Sequence, residues 1–163
     1  MESSSNSEIA HEFFPFFKVY NDGRVEKFMA SEHVPPSDDP RMAVRSKDVV
    51  VSPEPAVSAR AFMPQISDPS KKLPILVYMH GGGFSAIGSA FHPGYHKYVS
   101  ALVAKTDIIA VSVDYRLAPE HPIPACYDYS WAAHKWVASH VNGDGPDPWL
   151  NNHADFGQVF LAR

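Results

Sequence analysis

A chain of 163 residues has the size of one domain and enough length to bury its own core, and 45% hydrophobic with 20% charged residues excludes a disordered or coiled-coil protein. With 18 acidic against 14 basic residues the formal charge is −4, the opposite of the basic footprint that phosphate backbones attract, so no nucleic-acid partner is expected. The single cysteine, Cys126, excludes an internal disulfide and fits a reducing compartment.

Residues 1–12 are Ser-rich, acidic and aperiodic and are expected to be disordered, leaving 13–163 as the folded domain. The apolar cluster at Phe13–Phe17 is short and holds Pro15, and no run approaches ~18 apolar residues. Neither a secretory leader nor a membrane contact is therefore expected, and the cytoplasm is the expected compartment. Phe16–Tyr20 and Arg24–Phe28 flank Asn21-Asp22-Gly23, a hairpin signal. Val34 to Pro40 carries three prolines and is read as irregular. Lys47–Val51 and Val57–Met63 are the next strands, the second alternating as an outer antiparallel strand would.

From Leu73 the texture changes to strand–helix alternation. Ile75–Met79 is a continuous apolar run, the pattern of a strand covered on both faces, and Ile108–Val113 and Gln158–Ala162 read as the next two buried strands. Between them, a helix opening at Pro93 shows Tyr95, Val99, Leu102 and Val103 at helical spacing. A second helix after Pro124 puts Cys126, Tyr129, Ala133, Trp136 and Val137 on one face, with its stop expected at Gly143. This order predicts an α/β fold with a parallel sheet, the early hairpin supplying an antiparallel edge.

Two runs carry candidate chemistry, each directly after a buried strand. His80-Gly81-Gly82-Gly83-Phe84 combines backbone freedom with unobstructed N–H groups, which suit a developing oxyanion or another anionic group. A Walker loop needs a Gly-Lys-Ser/Thr ending that is absent here. A dinucleotide fingerprint would place Ala86 at its third glycine, and Gly88 and Pro93 intervene before any helix. A plain structural turn is the other open reading of three glycines. Asp114-Tyr115-Arg116-Leu117-Ala118-Pro119-Glu120-His121-Pro122, taken alone, reads as a structural ion-pair corner.

Together with Phe17 to Val25, Pro53 to Arg60 and Trp149 to Gly157, these two motifs resemble the plant carboxylesterases, in the hormone-sensitive-lipase-like group of the α/β-hydrolase fold. The resemblance covers nearly all of the chain beyond residue 12. It implies an incomplete α/β-hydrolase fold: a mostly parallel sheet with N-terminal antiparallel strands and covering helices, truncated before the nucleophile elbow. It also implies an oxyanion-hole loop at His80, Gly81, Gly82 and Gly83. In that loop Gly82 and Gly83 supply amides, Gly81 supports the turn and His80 orients it. Asp114, Tyr115 and Arg116 are implied as structural support.

The family reaction is attack by a serine on an ester carbonyl, with a histidine base oriented by an aspartate. That serine sits in Gly-x-Ser-x-Gly after a buried strand. Here the feeding strand is Gln158 to Ala162, and Arg163 stands where the family continues with Gly-Asp-Ser-Ala-Gly. Ser85, Ser89 and Ser112 lack the required flanking glycines, and His92, His96, His121, His134, His140 and His153 match no triad histidine. None of the triad is thus expected within these residues, and the chain alone is expected to be inactive. The run Ser85 to Phe91 is one residue longer than the family pattern, which would alter the loop shaping the acyl pocket.

The expected partner is a small-molecule ester or carboxylate. No cofactor is expected, and no metal, because Pro93 and Gly94 separate His92 from His96. Two further readings stay open. One is a non-catalytic small-carboxylate binder related to the gibberellin receptors; the other is an interaction fragment that self-associates through an exposed edge at Gln158 to Ala162.

Overall fold

The computed structural model describes residues 8–28, 32–38, 41–85 and 88–163. Three short strands, β1 (Ile9–Phe13), β2 (Phe17–Tyr20) and β3 (Val25–Lys27), form a small antiparallel sheet in that order. The hairpin turn lies where Asn21-Asp22-Gly23 places it: Gly23 has φ 83°, and Asp22 Oδ1 accepts from the Arg24 amide at 2.9 Å. β1 starts inside the stretch expected to be disordered; residues 1–7 lie outside the described residues. This sheet stands apart from the larger one, so the hairpin is not its antiparallel edge. That place is taken by β4 (Val44–Pro53) and β5 (Ala56–Pro64), ten and nine residues against four and three. Residues 32–38 carry no regular element, as their prolines dictate.

The larger sheet adds β6 (Leu73–Met79), β7 (Ile109–Asp114) and β8 (Ala154–Ala162), in the order β4-β5-β7-β6-β8. β4, β5 and β7 pair antiparallel, whereas β7, β6 and β8 pair parallel. β5 is an inner strand rather than an outer one. The alternation that suggested otherwise rests on Arg60, and Arg60 is fully buried. Its guanidinium donates to Asp48 Oδ1 at 2.7 Å, to Asp48 Oδ2 at 3.0 Å and to His96 Nδ1 at 3.1 Å, under the Phe91 ring. A polar residue at an alternating position can face inward once a carboxylate waits there.

Helix α1 (Pro93–Thr106) covers one face, burying Val99 and Val103 against Phe62, Leu76, Tyr78 and Ala110. Helix α2 (Ala125–Ala138) covers the other with the five residues its periodicity named, against Val57, Ile75, Val77, Ile109, Val111 and Val113. Coverage on both faces is why β6 and β7 are mostly apolar. α2 ends at Ser139, before Gly143, because the buried His140 ring takes over there. Its Nδ1–H donates to the Trp136 carbonyl at 2.8 Å, and Nε2 accepts from the Asp147 amide at 2.9 Å. Asp147 in turn caps a six-residue helix, α3 (Pro148–His153), too short to show in the sequence period. β8 begins at Ala154, ahead of the expected Gln158, and among the described residues it is the outer strand. Val159, Phe160 and Leu161 are 37%, 56% and 61% exposed, so this apolar run is not buried.

Removing the carboxylate beneath a buried guanidinium leaves a charge without its counter-ion. Asp48→Ala is expected to destabilise the fold by about 2–3 kcal/mol, the lower range for broken buried pairs because Asp48 itself reaches solvent. Urea denaturation measures this, and Asp48→Ala combined with Arg60→Met should recover part of the loss.

Candidate active site

β6, β7 and β8 run parallel, so their carboxyl ends share one edge of the sheet. Tyr78 is paired with Ser112 on one side and with Ala162 on the other. The chain therefore leaves these strands at His80, Asp114 and Arg163 side by side, the crevice where open α/β sheets take their ligands.

The glycine run turns through conformations that L side chains rarely adopt. Gly82 has φ 120°, Gly83 φ 64°, and Phe84 follows at φ 64°. A Cβ on Gly81 would lie 3.0 Å from the Tyr95 hydroxyl. Gly88, φ 136°, approaches so closely that a Cβ there would overlap both the His80 Nδ1 and the Gly81 carbonyl. Among the described residues neither the Gly82 nor the Gly83 amide donates to another group; the Gly82 carbonyl accepts from the Ser85 amide at 3.3 Å. Two N–H groups are thus left for a ligand on a loop where no side chain intervenes.

His80 is the hub of this loop and is completely buried. Its Nδ1–H donates to the Gly81 carbonyl at 2.8 Å, which fixes the tautomer because a carbonyl can only accept. The ring stacks on Tyr115, centroids 4.1 Å apart and planes within 5°, and the Tyr115 hydroxyl donates to the His80 carbonyl. Among the described residues His80 Nε2 has no hydrogen-bond partner. Burial holds the imidazole below its ordinary value, against smaller upward pulls from the Gly81 bond and Asp114. Held below 6.5 and enclosed, the ring is neutral at pH 7 and does not face solvent. Burial also pushes the Tyr115 phenol up to about 12, with the Arg163 cation pulling the other way, so it stays a donor.

The Asp114 motif holds its ion pair at Glu120 and not at Asp114. Asp114 Oδ1 accepts from Ser89 Oγ at 2.7 Å and from the Ala90 amide at 2.9 Å, tying the end of β7 to the segment after the glycines. Arg116 lies over the Tyr129 ring, 5.5 Å from its centroid. The ion pair of this region joins Glu120 to Lys27 of β3 at 2.9 Å. Sequence reading missed Tyr95, Ser89, Gly88 and Arg163, whose guanidinium sits 4.4 Å from the Phe84 ring centroid. Gly88 alone left a signal, as a second glycine soon after the first three. The lengthened run Ser85 to Phe91 falls partly on residues 86–87, outside the described residues.

The six other histidines named above are spread over the molecule. His92 caps α1, His96 faces Arg60, His134 stacks on Trp131 and His140 closes α2. His121 lies on a cleft wall beyond Asp114, and the Nδ1 of His153 is buried without a hydrogen-bond partner among the described residues. Among the described residues no serine hydroxyl bonds a histidine ring, and no three His, Cys, Asp or Glu side chains gather as a metal site.

The family model described as alpha/beta hydrolase fold matches residues 76–162, just over half of the chain. The chain belongs to that fold family. It is 51% identical over 162 residues to "Probable carboxylesterase 13" of Arabidopsis thaliana, a match covering 96% of this chain and 49% of that protein. It is 48% identical over 159 residues to the "2-hydroxyisoflavanone dehydratase" of Glycine max, covering 95% of this chain and 50% of that protein. The solved esterase of the archaeon Pyrobaculum calidifontis superposes with a TM-score of 0.56 at 34% identity, over 72% of this chain and 34% of that one. The chain spans about half the length of the curated relatives it matches. As an α/β-hydrolase sequence, it carries the glycine loop after β6 and the parallel strand β8 beside it, with the covering helices on both faces of a mixed sheet.

Gly88→Ala puts a methyl group into the His80 ring at a backbone conformation unsuited to alanine. A loss of at least about 2 kcal/mol is expected in urea denaturation, with a changed near-UV signal from Tyr115.

Burial is the first cause that lowers His80, His96 and His153 below 6.5, with Arg60 adding to it at His96 and Lys72 at His153. As pH falls through 6.5 the unfolded chain therefore binds protons before the folded one does, and stability drops. The thermal midpoint is expected to be flat from about pH 8 to 7 and to decline below about 6.5, with a shallower decline in His96→Gln.

Proposed function

We propose that these residues provide the oxyanion-binding half of a serine carboxylesterase site acting on a small-molecule ester. The observation that carries this is the pair of unengaged amides at Gly82 and Gly83, on the loop that the neutral, buried His80 holds at the carboxyl end of the parallel strands. Fixed donors in such a place act on charge as it develops at a carbonyl oxygen and need no reorganisation at that moment. The relatives named as carboxylesterases support the choice of an ester as substrate. Gly81 and His80 act on the loop and not on the substrate, and Asp114, Tyr115 and Arg116 hold its surroundings.

Residues 1–163 contain no Gly-x-Ser-x-Gly, so the nucleophile and its base have to be contributed by other residues. The 163-residue polypeptide is expected to hydrolyse 4-nitrophenyl butyrate at the buffer rate. Joined to the remaining length of the 51% identical Arabidopsis relative, it should gain hydrolysis that titrates with an organophosphonate. In that fusion Gly82→Ala, at φ 120°, displaces an amide and is expected to lower kcat roughly 100-fold with KM little changed. Catalysis by the polypeptide alone, or a fusion indifferent to Gly82→Ala, would overturn the proposal.

One observation favours a second reading, an interaction role: β8 presents exposed Val159, Phe160 and Leu161 on an unpaired edge. Two copies paired antiparallel about Val159 would set Asp155 opposite Arg163 of the other copy. Light scattering on the purified chain then reads a dimer, and Val159→Lys a monomer. No helix among the described residues is long and apolar enough to cross a membrane; a cytoplasmic location belongs to the proposal.

A further inference from the structure

Three places in the chain set a glycine directly after an aspartate or asparagine: Asp22-Gly23, Asn142-Gly143 and Asp144-Gly145. With no side chain on the glycine, its backbone nitrogen is unshielded and can close a five-membered ring on the carbonyl carbon of the preceding side chain. The structure ties up two of the three. Asp22 Oδ1 accepts from the Arg24 amide at 2.9 Å. The Gly145 amide donates to Asn151 Oδ1 at 3.0 Å, its carbonyl accepts from Asn151 Nδ2 at 2.7 Å, and a Cβ there would overlap the His140 ring. Asn142 is exposed, and among the described residues its side chain makes no hydrogen bond. Gly143 is exposed too, with φ 80° and open space where a Cβ would stand. Its N–H donates to the His140 carbonyl at 2.8 Å, a surface turn bond of the kind that opens locally at little cost. Asn142 is also the only one of the three with a carboxamide, which offers ammonia as leaving group.

We propose that Asn142-Gly143 is a site of spontaneous deamidation and isoaspartate formation that loosens the end of α2. The Gly143 nitrogen gives up its proton and attacks Asn142 Cγ. The new N–Cγ bond forms, the Cγ–Nδ2 bond breaks, and ammonia leaves with the proton. Water then opens the cyclic imide at either carbonyl. Opening at Cγ leaves an aspartate in an ordinary backbone; opening at the main-chain carbonyl leaves Gly143 joined through Cγ, with a free carboxylate on the α-carbon. Either product adds one negative charge, and only the second lengthens the main chain, by one methylene. That extra length falls between two fixed points. On one side stands His140, whose ring bonds the Trp136 carbonyl at 2.8 Å and the Asp147 amide at 2.9 Å. On the other stands Gly145, held by Asn151. The proposal concerns covalent change in a loop away from the glycine run and stands whether or not an ester is ever cleaved.

Ageing the 163-residue chain in mildly alkaline buffer and following it by peptide mass spectrometry tests this. The expected result is a gain of one mass unit that appears first in the peptide holding Asn142, with a carboxyl methyltransferase specific for isoaspartate labelling the same peptide. In urea, where the bond to His140 is lost, the gain should be roughly tenfold faster. Asn142→Gln should abolish it. Asn142→Asp adds the charge with an ordinary linkage and is expected to keep the urea midpoint of the unaltered chain. The isoaspartyl fraction, separated by chromatography, is expected to unfold at lower urea. A folded chain that gains no mass while a free peptide of residues 139–145 converts fully overturns the proposal. So does a gain that appears first elsewhere, an Asn142→Gln chain ageing at the same rate, or an isoaspartyl fraction with an unchanged midpoint.

Discussion

The carboxyl end of the sheet depends on one enclosed imidazole. His80 is sealed by the Tyr115 ring on one side and by the backbone of Gly88 on another, and its own Nδ1–H is bonded to the next carbonyl. The enclosure that positions the ring also penalises its protonation, against smaller upward pulls from the Gly81 bond and Asp114. Each neighbour then has its residue type for a reason: a tyrosine at 115 to stack and to donate to the His80 carbonyl, and a glycine at 88 because any side chain would occupy the ring's place.

The two-faced core sets this imidazole at a fixed height. β6 and β7 are held between α1 and α2, so the register of Tyr78 against Ser112 cannot slip without turning an apolar residue from one helix to the other. The loop inherits that register, and the Asp114 carboxylate passes it on through Ser89 to the start of α1. On the same face, Arg60 and Asp48 join the inner strand β5 to its neighbour β4, and Arg60 bonds His96 of α1. Arg60 thus enters this core where its donors meet acceptors on Asp48 and His96, a condition under which a low dielectric strengthens and does not penalise them.

The succession of strands and helices from Leu73 and the buried helix faces could be read from the sequence because they follow from periodicity. The five buried residues of α2 are those its spacing named, and the apolar runs of β6 and β7 are strands. Pairing that depends on a distant partner was not visible. Nothing near Arg60 announces that Asp48 lies across the ladder, so β5 looked like an outer strand. β8 failed in the opposite direction, since an apolar run records what a strand is suited to pack against and not what covers it. At the site, the glycines and His80 stood out by type, whereas Tyr95 and Ser89 came into contact only through folding. The Asp114 run promised an ion pair by composition, and it has one at Glu120 with Lys27, whereas Asp114 serves a hydroxyl and an amide.

That substitution of hydrogen bonds for an ion pair bears on the chemistry. Had Asp114 paired with Arg116, the strand end would carry a closed, mutually satisfied couple, and the segment after the glycines would lack its anchor. With Asp114 turned toward Ser89 and Ala90, the anchor is made from neutral donors, while the Arg116 guanidinium lies over the Tyr129 ring. The same edge of the sheet then presents the amide N–H groups of Gly82 and Gly83. Dipoles fixed in the backbone suit charge that exists only transiently, because they need no reorganisation when it appears. One backbone turn, seated on one buried ring, keeps them in place.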